Sequence, residues 1–153
     1  MEGFYLEDFE IGKCYKSQAR TITEADVVNF AGLSGDFNPL HMDEEFGKTN
    51  MFGKRIAHGM LGPVIMTGMS NQTGMFTGTT IAFMELTIKY KAPLEIGDTV
   101  HLEMIPTEII PSKKPGRGIL KLKANLVNHS GKLITECDWV LMMKTREAKA
   151  GES

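Results

Sequence analysis

Cysteine is scarce in this sequence, and neither sign of charge dominates it. Cys14 and Cys137 are far apart and neither belongs to a CxxC pair, which argues against a disulfide framework or a thiolate zinc site. The 17 basic and 19 acidic side chains are interspersed and give a net charge of −2. Because no basic stripe is present, nucleic acid is not an expected partner.

Long apolar runs are also missing. No run approaches the roughly 20 residues that a membrane span needs, so no membrane partner is expected. The opening MEGFYLEDFEIGK carries acids rather than the basic and then apolar regions of a secretory signal, and we therefore expect a cytoplasmic protein with reduced thiols. A chain of 153 residues with 42% hydrophobic content suits one core and is too short for two, which predicts a single domain over 1–153.

Two segments have helical patterns. Thr23 can cap a helix that has acids in its first turn, and Gly35 can end that helix in the left-handed conformation. The stretch 36–41 contains Pro39, and because the residue before a proline avoids helical backbone angles, we expect a loop or turn there. The segment 60–72 is apolar almost all the way round, which predicts a buried helix rather than a surface one.

Beyond Gly78 the pattern changes to alternation of apolar and polar side chains with a period of two, which is typical of strands. The predicted strands are 13–21, 82–90, 100–104, 120–126 and 133–144, with turns at 97–98 and 129–132, and the charged stretch 144–153 is expected to fray. A buried helix followed by antiparallel strands is an α+β pattern, with the sheet wrapped around the helix.

Reactive groups concentrate in one stretch, which holds Asp36, Asn38, His41 and Asp43 and is followed by His58. A carboxylate and an imidazole held together by a short turn can hold a water molecule and transfer protons near neutral pH. The same residue types are common turn formers and caps, so the pattern alone leaves both interpretations open. A metal site from His41, Asp43 and His58 lacks an i, i+4 ligand pair, and no metal is expected.

Gly59 lies directly before the predicted buried helix. The first amides of a helix have no partner within it, and they suit an oxygen that gains negative charge during a reaction. A glycine is also what close packing between a helix and a sheet requires. The two explanations are compatible.

Two motifs carry a resemblance to a known family. The run 30–43 (FAGLSGDFNPLHMD) contains Asp-x-Asn-Pro-x-His, and the run 56–61 (IAHGML) contains His-Gly-Met. Together they resemble the hydratase motif of the MaoC-like family. The opening YLEDFEIG and the later YKAPL fit the same family, so the resemblance covers about residues 4–143.

The resemblance implies a hot-dog fold, in which a curved antiparallel sheet wraps around a long central helix. It implies a homodimer with a CoA tunnel along the subunit interface, and it leaves any further assembly undetermined. In similar hydratases the residues that match Asp36 and His41 form a dyad that holds the reacting water, and the N–H that matches Gly59 receives the thioester oxygen.

Other positions are implied to support the site. Asn38 and Pro39 would shape the loop that presents the dyad, and His58 would adjoin the substrate. Thr67 matches a supporting hydroxyl that is often serine in relatives. Asn38, His58 and Thr67 are thus the substrate-binding candidates. Candidates for meeting the CoA phosphates are the basic residues Lys54, Arg55, Lys89, Lys91, Lys113, Lys114 and Arg117.

The reaction implied is the reversible, (R)-specific hydration of trans-2-enoyl-CoA to (R)-3-hydroxyacyl-CoA, with acyl-CoA as substrate and no cofactor. Two alternatives stay open: dehydration of 3-hydroxyacyl-ACP, and a non-catalytic acyl-CoA-binding module. Thioesterases of this fold usually place a carboxylate on the central helix. The segment from Met60 to Thr73 has none, which disfavours hydrolysis.

Overall fold

The computed structural model describes residues 2–146. Of the stretch expected to fray, Lys144 ends the last strand and residues 145 and 146 are hydrogen-bonded to the body of the protein. Residues 147–153 lie outside the described residues. No helix within 2–146 combines the length and apolar character needed to cross a bilayer.

The elements follow the predicted order, in which an early strand region precedes the helices and the long strands come after them. The helices are α1 (Glu24–Ser34), α2 (Pro39–Met42), α3 (Glu44–Thr49) and α4 (Leu61–Gln72), preceded by a 3₁₀ turn at Leu6–Asp8. The strands are β1 (Tyr15–Lys16), β2 (Arg20–Thr21), β3 (Thr80–Tyr90), β4 (Thr99–Pro111), β5 (Arg117–Asn128) and β6 (Leu133–Lys144).

All strands belong to one antiparallel sheet in the order β1-β4-β5-β6-β3, with β2 also paired to β4. The single early strand predicted at 13–21 is wrong, because two short strands stand in its place. Between them the Ser17 hydroxyl accepts a hydrogen bond from the Leu102 N–H at 2.9 Å. A side chain therefore takes the place of a backbone acceptor there and interrupts the ladder.

Helix α4 packs its apolar side chains against the sheet. Leu61, Ile65, Met66 and Met69 are at most 5% exposed and join the inward-facing side chains of β4, β5 and β6 in one core. This is the α+β arrangement predicted from the sequence, with the sheet against a central helix. About 25 cal/mol for each Å² of apolar surface removed from water drives this packing.

Helix α4 is not buried on every side, which corrects the sequence prediction. Met60, just before it, is 47% exposed and Val64 is 48% exposed, and Gly68 is also exposed. These residues recur every four positions and so form one stripe along the helix. An apolar pattern shows that a surface avoids water, but it does not show whether the protein's own core covers that surface.

Strand β3 has a similar exposed apolar surface. It is a long edge strand that pairs only with β6 among the described residues. Its alternation predicted a strand correctly, but most of its apolar side chains are exposed. They are Ile81 (44%), Phe83 (43%), Met84 (50%), Leu86 (40%) and Tyr90 (54%).

Candidate active site

The Asp36 loop is shaped by the residues around it. Thr23 caps α1 by accepting from the Asp26 N–H, and Gly35 ends the helix at φ 77°, both as predicted. The Asp36 carboxylate accepts a hydrogen bond from the Asn38 N–H at 3.2 Å through Oδ1. This contact within the loop leaves Oδ2 free to face another group.

His41 lies on a helix rather than on the loop that was predicted. The Asn38 side chain accepts from the Leu40 N–H at 3.0 Å and caps α2, whose first residue is Pro39. A proline suits that position because its fixed φ is already helical and its missing N–H is not needed. The Asn-Pro pair therefore starts a short helix that carries His41 inward, and Asn38 acts here as a cap.

The His41 ring is held at a defined distance from Asp36. It is 7% exposed, and its Nδ1 lies 2.8 Å from the carbonyl oxygen of Ile56. Since a carbonyl only accepts, Nδ1 carries the proton and Nε2 has a free lone pair when the ring is neutral. Nε2 lies 4.0 Å from Asp36 Oδ2, too far for a direct hydrogen bond. A water oxygen can lie within hydrogen-bond distance of both atoms.

His58 is buried behind this pair and is 2% exposed. Its Nε2 lies 2.8 Å from the backbone oxygen of Asp36, so Nε2 carries the proton. Its ring stacks on His41 with centroids 4.0 Å apart. The structure thus brings Asp36, His41 and His58 together, but His58 does not line the neighbouring cleft.

The same three residues place potential metal ligands within 4.8 Å of one another. Asp43, which the metal hypothesis had included, instead caps α3 by accepting from the Phe46 N–H at 3.0 Å. The stacked rings of His41 and His58 differ in tilt by only 32°. A metal must lie near both ring planes at about 2.0–2.1 Å from each nitrogen, and planes so nearly parallel do not meet that close to the rings. The geometry therefore does not suit a metal held by both imidazoles.

A cleft of about 510 Å³ lies beside His41. Its lining is mostly apolar and includes Gly59, Tyr90, Lys91 and Leu94. Lys91 is the one member of the CoA-phosphate candidates in that lining, and its ammonium group lies 3.7 Å from Glu136. An apolar cleft with a few polar groups is the usual form of a small-molecule site.

Gly59 presents its backbone to this cleft. It precedes α4, whose first residues have no side-chain cap, and the Gly59 N–H has no hydrogen-bond acceptor within residues 2–146. The ring of Tyr90 lies against the glycine, so that an added Cβ would be 3.0 Å from Tyr90 Cζ. Although the Tyr90 side chain is half-exposed, partial desolvation of its hydroxyl raises its pKa. The contact with Tyr90 therefore explains why position 59 is a glycine, and the N–H of that glycine is also a free donor.

Thr67 is not brought to this cleft. Its hydroxyl donates to the Val64 carbonyl at 2.7 Å. It lines a separate small cavity of about 70 Å³, together with Ser70 and Trp139. In the single chain, Thr67 and His41 thus line different cavities, and Asp36 lines neither of them.

Arg55 has a position that the sequence did not predict. Its guanidinium donates to both carboxylate oxygens of Glu24 at 2.8 and 2.9 Å, and to Glu44 at 2.7 Å. A longer contact of 3.4 Å reaches the His41 carbonyl. With a side chain only 16% exposed, Arg55 joins the starts of α1 and α3 to the helix that carries His41. The sequence indicates Arg55 only as a phosphate-binding candidate, because the spacing of its partners gives no signal there.

The fold and these groups define a class: an α+β protein with a carboxylate–imidazole pair beside an apolar cleft. Comparisons with known proteins agree. A family profile described as the MaoC like domain matches residues 8–127, and the chain therefore belongs to the MaoC-like family. The hot-dog fold expected from the resemblance is confirmed, since solved structures with that fold match this chain.

Individual relatives are hydratases and dehydratases. The (R)-specific enoyl-CoA hydratase of Rhodospirillum rubrum is 39% identical over 110 residues, or 72% of this chain and 74% of that protein. The 3-hydroxybutyryl-CoA dehydratase of Methylorubrum extorquens is 33% identical over 113 residues, or 74% of this chain and 70% of that protein. A solved monoamine oxidase regulatory protein from Archaeoglobus fulgius has a TM-score of 0.87 at 32% identity, covering 95% of this chain and 97% of that one.

Proposed function

We propose that the protein catalyses the reversible, (R)-specific hydration of trans-2-enoyl-CoA thioesters. The observation that carries the proposal is the 4.0 Å separation between Asp36 Oδ2 and His41 Nε2. Both atoms accept hydrogen bonds, so a water molecule between them directs its two protons at the protein and its free lone pairs outward. The relatives named as a hydratase and a dehydratase support the same reaction class.

In the hydration direction, the Asp36 carboxylate accepts one proton of the water while the water oxygen bonds to the β-carbon. His41 Nε2 accepts a hydrogen bond from the other O–H and orients the molecule. The double bond shifts to an enolate of the thioester, and the α-carbon then takes a proton from the Asp36–His41 pair. A close pair of this kind titrates as a unit, and no cofactor is required.

The Gly59 N–H is proposed to stabilise the enolate oxygen. It lines the cleft, lies at the start of α4 and has no acceptor in the described part of the chain. A helix N-terminus favours negative charge. Loss of one such donor costs about 100- to 1000-fold in rate in enzymes where it has been measured.

The proposed state is a homodimer joined at β3. An edge strand with unpaired backbone groups and exposed apolar side chains is prone to pair with another strand. The exposed stripe on α4 that contains Met60 and Val64 is a second apolar surface, in addition to that of β3. A second copy of the chain on this side would cover both surfaces.

The experiment is incubation of the purified protein with crotonyl-CoA, followed by loss of the enoyl-thioester absorbance in the ultraviolet. The product is then offered to an (S)-specific 3-hydroxyacyl-CoA dehydrogenase with NAD. Rapid loss of absorbance without NADH formation is the expected result. Turnover of ACP thioesters alone would favour the ACP dehydratase, and unchanged crotonyl-CoA with measurable binding would favour the non-catalytic module.

A further inference from the structure

His58 makes two separate contacts, one to each member of the Asp36–His41 pair. Its Nε2–H donates to the Asp36 carbonyl at 2.8 Å, and its ring stacks on His41 at 4.0 Å. The other face of the ring packs against Phe30, with centroids 4.9 Å apart. A single buried side chain therefore fixes the backbone of one group and the ring plane of the other.

The two members of the pair depend on this contact to different degrees. His41 has an anchor of its own, because its Nδ1–H donates to Ile56. Asp36 is half-exposed and follows Gly35 on a loop, and its side-chain contact to Asn38 stays within that loop. The Asp36 N–H also donates to the Ser34 hydroxyl at the end of α1, at 3.1 Å, but Ser34 is exposed. The hydrogen bond from His58 is the contact that ties the Asp36 backbone to a buried side chain, and without it Asp36 is held only from the loop and the end of α1.

We infer that His58 is a positioning residue for the Asp36–His41 pair rather than a substrate contact. The inference rests on the proposed function for its kinetic consequences, but its geometric content is independent of it. His58 is only 2% exposed and lies between Phe30 and His41, so its ring offers almost no surface to a substrate. Its Nδ1 has no hydrogen-bond partner, which leaves Nε2 as the nitrogen that holds the loop.

Two substitutions separate the two contacts. His58→Phe keeps a ring that can stack on His41 but removes the donor to Asp36. His58→Gln removes the ring but keeps an N–H donor at a position similar to Nε2. Because a misplacement of about 1 Å can cost on the order of 100-fold in rate, His58→Phe is expected to lower kcat by about that factor, with KM changed by less than about threefold. His58→Gln is expected to recover a large part of kcat.

His129→Gln is the matched control, because His129 is exposed in the β5–β6 turn, and it is expected to keep wild-type kinetics. All rates are referred to the folded fraction, measured by circular dichroism. Wild-type kcat in folded His58→Phe would overturn the inference. The inference would also be overturned if His58→Phe and His58→Gln lost activity equally and only in proportion to their loss of folded protein.

A measurement that needs no turnover completes the test. Imidazole ¹⁵N NMR of the wild type in alkaline buffer is expected to show His58 protonated at Nε2 and His41 protonated at Nδ1. A His58 ring protonated at Nδ1 would overturn the inference whatever the activity. If the wild type fails to hydrate crotonyl-CoA while the tautomers are as expected, the proposed function fails and the positioning geometry stands.

Discussion

The ring of Tyr90 closes the space beside Gly59, so that a Cβ atom on the glycine would lie 3.0 Å from Tyr90 Cζ and 3.1 Å from its hydroxyl oxygen. This contact joins the end of strand β3 to the turn before α4. The positions of the proposed oxyanion donor, the Gly59 N–H, and of an aromatic wall of the cleft, the Tyr90 ring, therefore depend on each other. A side chain at position 59 cannot enter without moving one of them.

Gly59→Ala is therefore expected to lower kcat/KM for crotonyl-CoA, because the N–H or the Tyr90 ring must shift to admit a Cβ at 3.0 Å, but by less than the roughly 100-fold that a misplacement of about 1 Å can cost. Gly32→Ala is the control, because no atom lies within 4 Å of a Cβ built there. Gly32 lies inside α1, so that change is expected to add about 0.5–1 kcal/mol of stability without loss of rate. Full activity in Gly59→Ala would contradict the steric coupling between this donor and the Tyr90 ring.

Arg55→Met is expected to reduce the free energy of unfolding by about 1–2 kcal/mol, because it removes hydrogen bonds to two carboxylates at once. The Arg55 hydrogen bond lowers the pKa of Glu24 below its ordinary 4.5. A carboxyl group whose pKa is lower in the folded state than in the unfolded state stabilises the fold at pH values above its unfolded-state pKa. That contribution is lost as the pH falls through the folded-state pKa. The difference between wild type and variant, measured by urea unfolding, should thus be full at neutral pH and shrink in acid.

Lys54→Met provides the comparison, since Lys54 forms an exposed ion pair with Glu95 at 2.9 Å. A change of less than about 0.5 kcal/mol is expected there. Arg55→Lys keeps the charge but not the paired donors, and it should fall between wild type and Arg55→Met. Equal stability of all three Arg55 forms at neutral pH would show that the guanidinium does not join the helices.

The wild-type chain is expected to sediment at twice the mass of the monomer, and Leu86→Lys on the β3 edge is expected to shift it toward the monomer. Leu86 is 40% exposed in the single chain, and a lysine on an edge strand opposes pairing with a second strand. Ile11→Lys is the control, because Ile11 is 62% exposed and the next residue, Gly12, bonds to Pro106 on β4, which β5 and β6 separate from β3. A dimer that survives Leu86→Lys together with Met84→Lys would place the subunit contact elsewhere.

The two thiols are expected to react at different rates. Cys14 is exposed and Cys137 is buried, and burial raises the pKa of the Cys137 thiol to about 11. A thiolate reagent such as Ellman's should therefore titrate one cysteine rapidly in the native protein and the second only after unfolding in urea. Two rapidly reacting thiols in the native state would contradict the burial of Cys137.

Features with a local cause could be predicted from the sequence. Thr23 and Gly35 mark the ends of α1 because their own side-chain and backbone chemistry does the capping. The turn at 129–132 and the strand that follows it were predicted with their observed limits, because a glycine turn and a period of two are both local signals. The Asp36 and His41 motif predicted a carboxylate and an imidazole close together, and the two side chains lie 4.0 Å apart.

Features that depend on distant partners could not be predicted. Arg55 contacts Glu24 and Glu44, and no pattern in the sequence links those positions. The resemblance implies that His58 adjoins the substrate, whereas in the structure its ring faces the Asp36 backbone. The apolar pattern of α4 predicted that Val64 is buried, but Val64 is 48% exposed. The hydrophobicity of a residue does not show whether its own chain or a second chain would cover it.

The most direct test of the account is the rate of crotonyl-CoA hydration by Asp36→Asn compared with wild type and with Asp43→Asn. Both substitutions replace one carboxylate oxygen by an amide nitrogen, and asparagine can still cap α3 at position 43. Normal folding is expected for both, with a near-complete loss of hydration in Asp36→Asn and a wild-type rate in Asp43→Asn. A wild-type rate in Asp36→Asn would contradict the claim that the carboxylate facing His41 activates the water.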